Sequence, residues 1–223
     1  MQDDGSFIKS IKEEIQNNLP GEKSHIPMSP YKRVSPSYAR LKTENPIYSA
    51  VAIHIYRSKQ GDLEILLIER TQNMSSHKGQ IAFPGGKVDK SDHDYFYTAK
   101  RESFEELGIK INEGIYLGKL SPVFIPISNF DVHPYVIFHK KPPKIFSNKI
   151  EVANCFSIKI KNLLNPSSIQ KFNYKNEQGI TIKNIPCFHI NKKTIWGATA
   201  LIANELRDVV LNVICKNQKE EQH

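Results

Sequence analysis

Three carboxylates set one helical turn apart, directly behind a proline-glycine-glycine turn, restrict this chain more than any other stretch of it. They lie in "FPGGKVDKSDHDYFYTAKRESFEELGI", residues 83–109. The pattern from Tyr95 to Leu107 predicts a helix closed by Gly108 as its C-terminal cap. With Glu102 set at zero and about 100° per residue, Glu105 falls near about −60° and Glu106 near about +40°. Phe96, Leu107 and Phe104 fall between about 120° and 200°, so an apolar face is expected to turn inward and an acidic face elsewhere. Like charges one turn apart repel by about a few tenths of a kcal/mol per pair, so a cationic partner is needed. Arg101 reaches Glu105 at i+4. Glu102 and Glu106 remain, and hard oxygen donors at i and i+4 suit Mg²⁺ or Mn²⁺. The alternative is a solvated charged face. The preceding turn favours a site, because the backbone at Gly85 and Gly86, free of side chains, can approach an anion or offer a carbonyl to a metal. No Gly-Lys-Ser/Thr follows, which excludes a Walker phosphate loop. Asp89, Asp92 and Asp94 are assigned to the loop and to the helix cap.

The rest of the pattern is that of a mixed β-sheet protein with one helix mid-chain and another at its end. "YSAVAIHIY" and "LEILLIE" around "RSKQGD" predict a hairpin over 48–69. Further strands are expected in "IYLGKLSPVFI", "DVHPYVIFHK", "EVANCFSIKI" and "GITIKNIPCFHI", and a helix over 196–214. Phe7, Ile8, Ile11 and Ile15 recur at helical spacing behind Ser6, a candidate cap, and Pro20 ends that helix. The prolines that follow mark an irregular arm. We therefore expect an N-terminal helix and proline-containing arm over 1–46, one domain over 47–215 and a polar tail over 216–223. At 223 residues the chain suits one domain with terminal extensions.

A net charge of +8 favours an anionic partner: nucleic acid, a membrane surface or a polyphosphorylated small molecule. The best basic run, "FHKKPPKIFSNK", reads as a solvated loop, so nucleic acid is not expected. No apolar run is long enough to cross a bilayer. Cys155, Cys187 and Cys215, widely spaced among apolar residues, fit reduced core thiols. With no leader or peroxisomal signal recognised, a cytoplasmic location is expected.

The acidic helix resembles the box of the Nudix hydrolase family: Gly, five residues, Glu, seven residues, then Arg-Glu-apolar-any-Glu-Glu-any-Gly-apolar. "RESFEELGI" supplies Arg101, Glu102, Glu105, Glu106, Gly108 and Ile109 in register. Ser103 stands at the apolar position, and the upstream acid is Asp92, separated from Gly86 by five residues as in the pattern but from Arg101 by eight rather than seven. The extra residue and the Asp in place of Glu resemble the subgroup that hydrolyses coenzyme A. Its second motif is matched by "LLIERTQNMSSHKGQIAFPGG" at Leu66, Leu67, Arg70, Gly79, Phe83, Pro84, Gly85 and Gly86, with departures at Ile68, Thr71 and Ser75, the last replacing an arginine. "IWGATA" resembles the subgroup's final helix.

The resemblance implies an α/β (α+β) fold, a mixed β-sheet sandwiched between α-helices. It implies a diphosphatase with Mg²⁺ or Mn²⁺ as cofactor, held by Glu102 and Glu106 with Glu105 and the backbone near Gly86. Arg101, Glu102 and Glu105 are the implied catalytic residues, with Glu105 as candidate base and Glu151 as an alternative. Arg70, His77 and Lys87 are candidate anion contacts. The implied substrate is coenzyme A, cleaved to adenosine 3′,5′-bisphosphate and 4′-phosphopantetheine. Alternatives are ADP-ribose or a dinucleotide as substrate, or a non-catalytic sensing module. Trp196 reads as a core anchor and His133 as structural. The expected partner is a small molecule, with no nucleic acid and no membrane; a homodimer is left open.

Overall fold

The computed structural model describes residues 4–30, 36–71, 79–175 and 179–220. The chain begins with helices α1 (Asp4–Asn17), α2 (Glu22–His25) and α3 (Pro36–Leu41). Strands β1 (Ile47–Arg57), β2 (Leu63–Arg70), β3 (Ile81–Ala82) and β4 (Gly85–Lys87) lead to helix α4 (Tyr95–Leu107). Then follow β5 (Ile115–Lys119), β6 (Val123–Ile125), β7 (Phe130–His139), β8 (Val152–Lys159) and helix α5 (Ile160–Leu164). Strands β9 (Ile169–Lys175), β10 (Thr181–Ile190) and β11 (Lys193–Trp196) precede the last helix, α6 (Gly197–Glu220).

The long apolar run of β1 places it at the centre of the sheet. It pairs antiparallel with β2 and with β4, and parallel with β7 through Ile47 to Tyr56. Strands β3 and β8 extend the β2 side, and β5 and β6 the β7 side. The sheet is thus mixed, and alternate residues of its strands feed opposite faces. Ile53, Ile55, Val136 and Phe138 join Ile8, Ile11 and Ile15 of α1 and Leu206, Val209 and Val213 of α6 in one core. On the other face Ala50, Ala52 and Tyr135 pack with Ala99 of α4, and Tyr56 and Leu66 pack with Leu107. Helices therefore cover both faces, the expected layered α/β arrangement.

Several local expectations change. Ser6 lies inside α1, not at its cap. The proline-containing segment carries α2 and α3 and is fastened to the body: Glu205 of α6 accepts hydrogen bonds from the backbone N–H of Gly21 and of Ser121 at 3.0 Å each. The last helix starts at Gly197 and runs through Lys216 to Glu220, which absorbs the described part of the expected polar tail. Trp196 ends β11, with its ring 4.7 Å from that of Tyr174. The short β3, β4 and β11, and β9, are additional to the sequence expectation. β9 escapes notice because its residues are mostly exposed and polar. All three cysteines are free, but Cys215 is exposed, so only Cys155 and Cys187 are half-buried or buried thiols.

The orientation of α4 also differs. Phe104 is 55% exposed, whereas Thr98, Ala99, Ser103, Glu106 and Leu107 are buried. The strand beneath presents Ala50 and Ala52, and the helix comes close to it with its small residues, leaving no place for a bulky ring. Beyond Ala52, the next residue of β1 on this face is His54, fully buried, with Nε2 3.1 Å from Ser103 Oγ and Nδ1 3.0 Å from His139 Nε2.

Burial, reinforced by the neighbouring His139, drives the His54 pKa down to about 3. Folded His54 stays neutral, while in the unfolded chain it gains a proton below about pH 6.5. Its contribution to stability is complete above that pH and is lost as pH falls toward the folded value. Comparing urea unfolding of the native chain and His54→Leu between pH 7 and pH 5 should show the native chain losing on the order of 1–2 kcal/mol more than the variant. Parallel pH profiles would contradict this assignment.

Candidate active site

The site is assembled where β2 ends, β4 begins and α4 passes over both. Asp94 caps α4, accepting the Tyr97 N–H at 2.6 Å, and Gly108 closes it in the left-handed conformation at φ 68°. The Gly108 and Ile109 amides donate to the carbonyls of Phe104 and Ser103, which completes the C-terminal cap. The loop that follows β7 also closes this end, with the Phe146 and Asn148 amides donating to the carbonyls of Leu107 and Glu106. A helix pinned at both ends can hold side chains to close tolerance.

Glu106 is fully buried. One carboxylate oxygen accepts the Gly85 N–H at 2.9 Å and the other faces Arg70 Nη1 at 3.3 Å. Burial pushes its pKa up to about 8, against the lowering influence of those two donors. Glu102 is shifted upward too, with burial again the leading cause and Arg101 opposing it. Its carboxylate lies against the bare Cα of Gly86. A Cβ there would stand 2.3 Å from Glu102 Oε1, so any larger residue would have to push that carboxylate aside. The acidic face is therefore partly inward, with Glu102 and Glu106 at the sheet and the Glu105 side chain half-exposed.

Arg101 organises the surroundings. Its Nε and Nη2 donate to the two oxygens of Asp92 at 3.0 and 2.9 Å, and its Nη1 to Glu102 at 2.8 Å and Glu105 at 3.0 Å. Nη2 also reaches the Lys87 carbonyl at 3.0 Å. Asp92 is held well below the usual carboxylate range by Arg101, and Arg101 is raised in turn by Asp92. The extra loop residue before Arg101 is accommodated: Asp92, shorter than glutamate, still meets the guanidinium through both oxygens. Arg101 thus positions carboxylates, and its five contacts all end on protein.

The other expected residues are distributed more widely. Arg70 faces Glu106. The Lys87 ammonium lies over the Phe130 ring, 5.5 Å from its centre. His77, like Ser75, lies outside the described residues. The charge of Glu151 raises the pKa of both Glu102 and Glu106, which places it in their electrostatic neighbourhood. His133 stacks on Tyr95 with ring centres 4.0 Å apart, in keeping with a structural role. Sequence reasoning missed the pairing of His54 with Ser103; a serine at an apolar box position and a histidine inside an apolar strand were its signals.

Among the described residues, no three His, Cys, Asp or Glu side chains gather closely enough to hold a metal ion as they are placed. The chemistry of the donors nevertheless fits a hard divalent cation: carboxylate oxygens beside a bare glycine, one of them withdrawn from water and raised in pKa, so that a cation would compete with a proton.

Residues 46–159, just over half of the chain, match the NUDIX domain family. The chain belongs to the Nudix hydrolase family. The chain is 31% identical to a probable Nudix hydrolase of Schizosaccharomyces pombe over 75% of its own length and 56% of that protein. It is 34% identical to an uncharacterised Nudix hydrolase, NudL, of Yersinia pestis over 66% of this chain and 72% of that one. The solved Nudix hydrolase RenU of M. smegmatis aligns with a TM-score of 0.52 at 14% identity, over 75% of this chain and 87% of its own, and shows the same fold.

Gly86→Ala tests the contact between β4 and α4. The added Cβ should displace the Glu102 carboxylate and lower Nudix hydrolase activity on the order of 100-fold, the scale expected for a misplacement of about 1 Å. Circular dichroism should remain native; full activity in the folded variant would exclude Glu102 from the chemistry.

Proposed function

We propose that this Nudix hydrolase cleaves the diphosphate of coenzyme A, releasing adenosine 3′,5′-bisphosphate and 4′-phosphopantetheine. The observation that carries the reading is the pair of motifs, "LLIERTQNMSSHKGQIAFPGG" running directly into the box. Arg70 of the first motif and Glu106 of the second face each other at 3.3 Å, which supports reading them as one site.

Glu102 and Glu106 would hold the divalent cation, Mg²⁺ or Mn²⁺, with the backbone at Gly86 and Glu105 completing its surroundings. Such a cation, when bound, neutralises charge on the diphosphate and makes water at phosphorus a better nucleophile. The chain's own residues prepare the reaction. Gly86 gives the Glu102 carboxylate room, Arg101 fixes Glu102 and Glu105 relative to each other, and Asp92 fixes Arg101. Half-exposed Glu105 is the carboxylate assigned to take the proton from water, with Glu151 as the alternative base. Arg70, beside Glu106, is assigned to a phosphate oxygen, and the net positive charge favours approach of the polyanionic substrate.

Ser75, where the subgroup motif has an arginine, favours a second reading in which another nucleoside diphosphate derivative, such as ADP-ribose or a dinucleotide, is preferred. A panel of these compounds ranked by kcat/KM separates the two: coenzyme A should lead, with phosphopantetheine identified by mass spectrometry. A panel led by ADP-ribose would overturn the coenzyme A assignment. Chelation should abolish turnover and Mg²⁺ or Mn²⁺ restore it. Glu106→Gln should lower kcat on the order of 100-fold or more while the protein stays folded; unchanged hydrolysis would remove Glu106 from the catalytic set and revive a non-catalytic role for the box.

A further inference from the structure

Ser103 occupies a box position that is apolar in the family pattern, and the structure supplies its partner. On the face of β1 beneath α4, Ala52, His54 and Tyr56 follow one another. On the facing side of α4, Ala99, Ser103 and Leu107 follow at one-turn intervals. Ala52 and Ala99 belong to one apolar cluster, and Tyr56 and Leu107 to a second. Between them stands a polar seam: Ser103 Oγ lies 3.1 Å from His54 Nε2, and His54 Nδ1 lies 3.0 Å from His139 Nε2. Ser103 and His54 are fully buried and His139 nearly so. Gly114 packs against His139, where a Cβ would come within 2.9 Å of its Cε1, so the outer imidazole is confined from behind.

We propose that Ser103, His54 and His139 form a positioning relay that sets the register of the carboxylate helix on the sheet. Apolar packing is non-directional, and the alanine contacts alone hold α4 down without fixing how far it slides or turns. A hydrogen bond fails over a few tenths of an ångström and a few tens of degrees. Displacing α4 by one turn, about 5.4 Å, would set Ala99 or Leu107 against His54 and leave a buried imidazole nitrogen without a partner. Buried polar pairs fix register in helical assemblies in this way. The register matters because the residues flanking Ser103 have small tolerances: Glu106 must meet the Gly85 N–H, and Glu102 must lie where Gly86 has no Cβ. His54 and His139 act through α4 and touch no reacting atom.

The proposal rests on α4 being the catalytic helix, and its test includes a readout that needs no substrate. In the full chain, the Gly85 amide reports the seating of Glu106. Ser103→Ala should speed hydrogen exchange at Gly85 about tenfold or more, with the amides pairing β2 and β8 unchanged. Against the leading substrate of the panel, kcat should fall about tenfold with KM within about twofold. Ser103→Thr, which keeps the hydroxyl, should restore both. Ser103→Ala/His54→Leu removes the seam's central pair, at a stability cost for the His139 nitrogen left without its partner, and should remain slow in kcat and fast in exchange at Gly85. If Ser103→Ala fails to fold, the threonine and double variants carry the same comparison. Native Gly85 protection and kcat in the folded double variant would overturn the proposal, leaving the two histidines as satisfied core residues. Altered Gly85 exchange in a chain inactive on every substrate would uphold the relay and refute the diphosphatase reading instead.

Discussion

A carboxylate withdrawn from water stands at the junction on which this site depends. Burying a charge costs several kcal/mol unless partners replace its hydration, so the position of Glu106 dictates what must surround it. The Gly85 N–H and Arg70 answer that need from two different strands. In doing so they tie the end of β2 and the start of β4 to α4. Two demands of local geometry, a bare glycine under Glu102 and a backbone amide turned toward Glu106, thus make the "FPGG" turn inseparable from the helix that follows it.

Around that junction the molecule keeps acids in place with arginines of different duty. Arg101 bonds to Asp92, Glu102, Glu105 and the Lys87 carbonyl, and Asp92 in turn accepts from Thr98 at 2.8 Å. The loop before α4 is thereby bound to the helix it introduces. On the opposite face, Glu205 binds the chain's early segment and the Ser121 turn to α6. The first network arranges chemistry and the second fastens the N-terminal elements, but both solve one problem: a carboxylate placed inside must be given enough donors to remain there.

The box was legible because side-chain spacing along a helix is fixed by backbone geometry. Arg101 could be matched to Glu105, Asp94 to the cap and Gly108 to the end of α4 without knowing what lay beneath. The β1–β2 hairpin was legible for a similar reason, since both strands carry long apolar runs. The inward direction of α4 was not. A helical wheel weighs Phe104 above Ser103, whereas close approach to Ala50 and Ala52 rewards small side chains and sends the larger ring outward.

By itself, the order of residues determined the family, the two-motif pattern and the set of acids available for chemistry, because each of these depends on spacing within one continuous stretch. Only the tertiary structure decided which acid is buried, which arginine meets it and what lies under Ser103. Those outcomes join residues far apart in the chain, Arg70 with Glu106 and His54 with Ser103 and His139. Hydrogen bonding and desolvation depend on which groups the sheet brings together, and no local period along the chain encodes that.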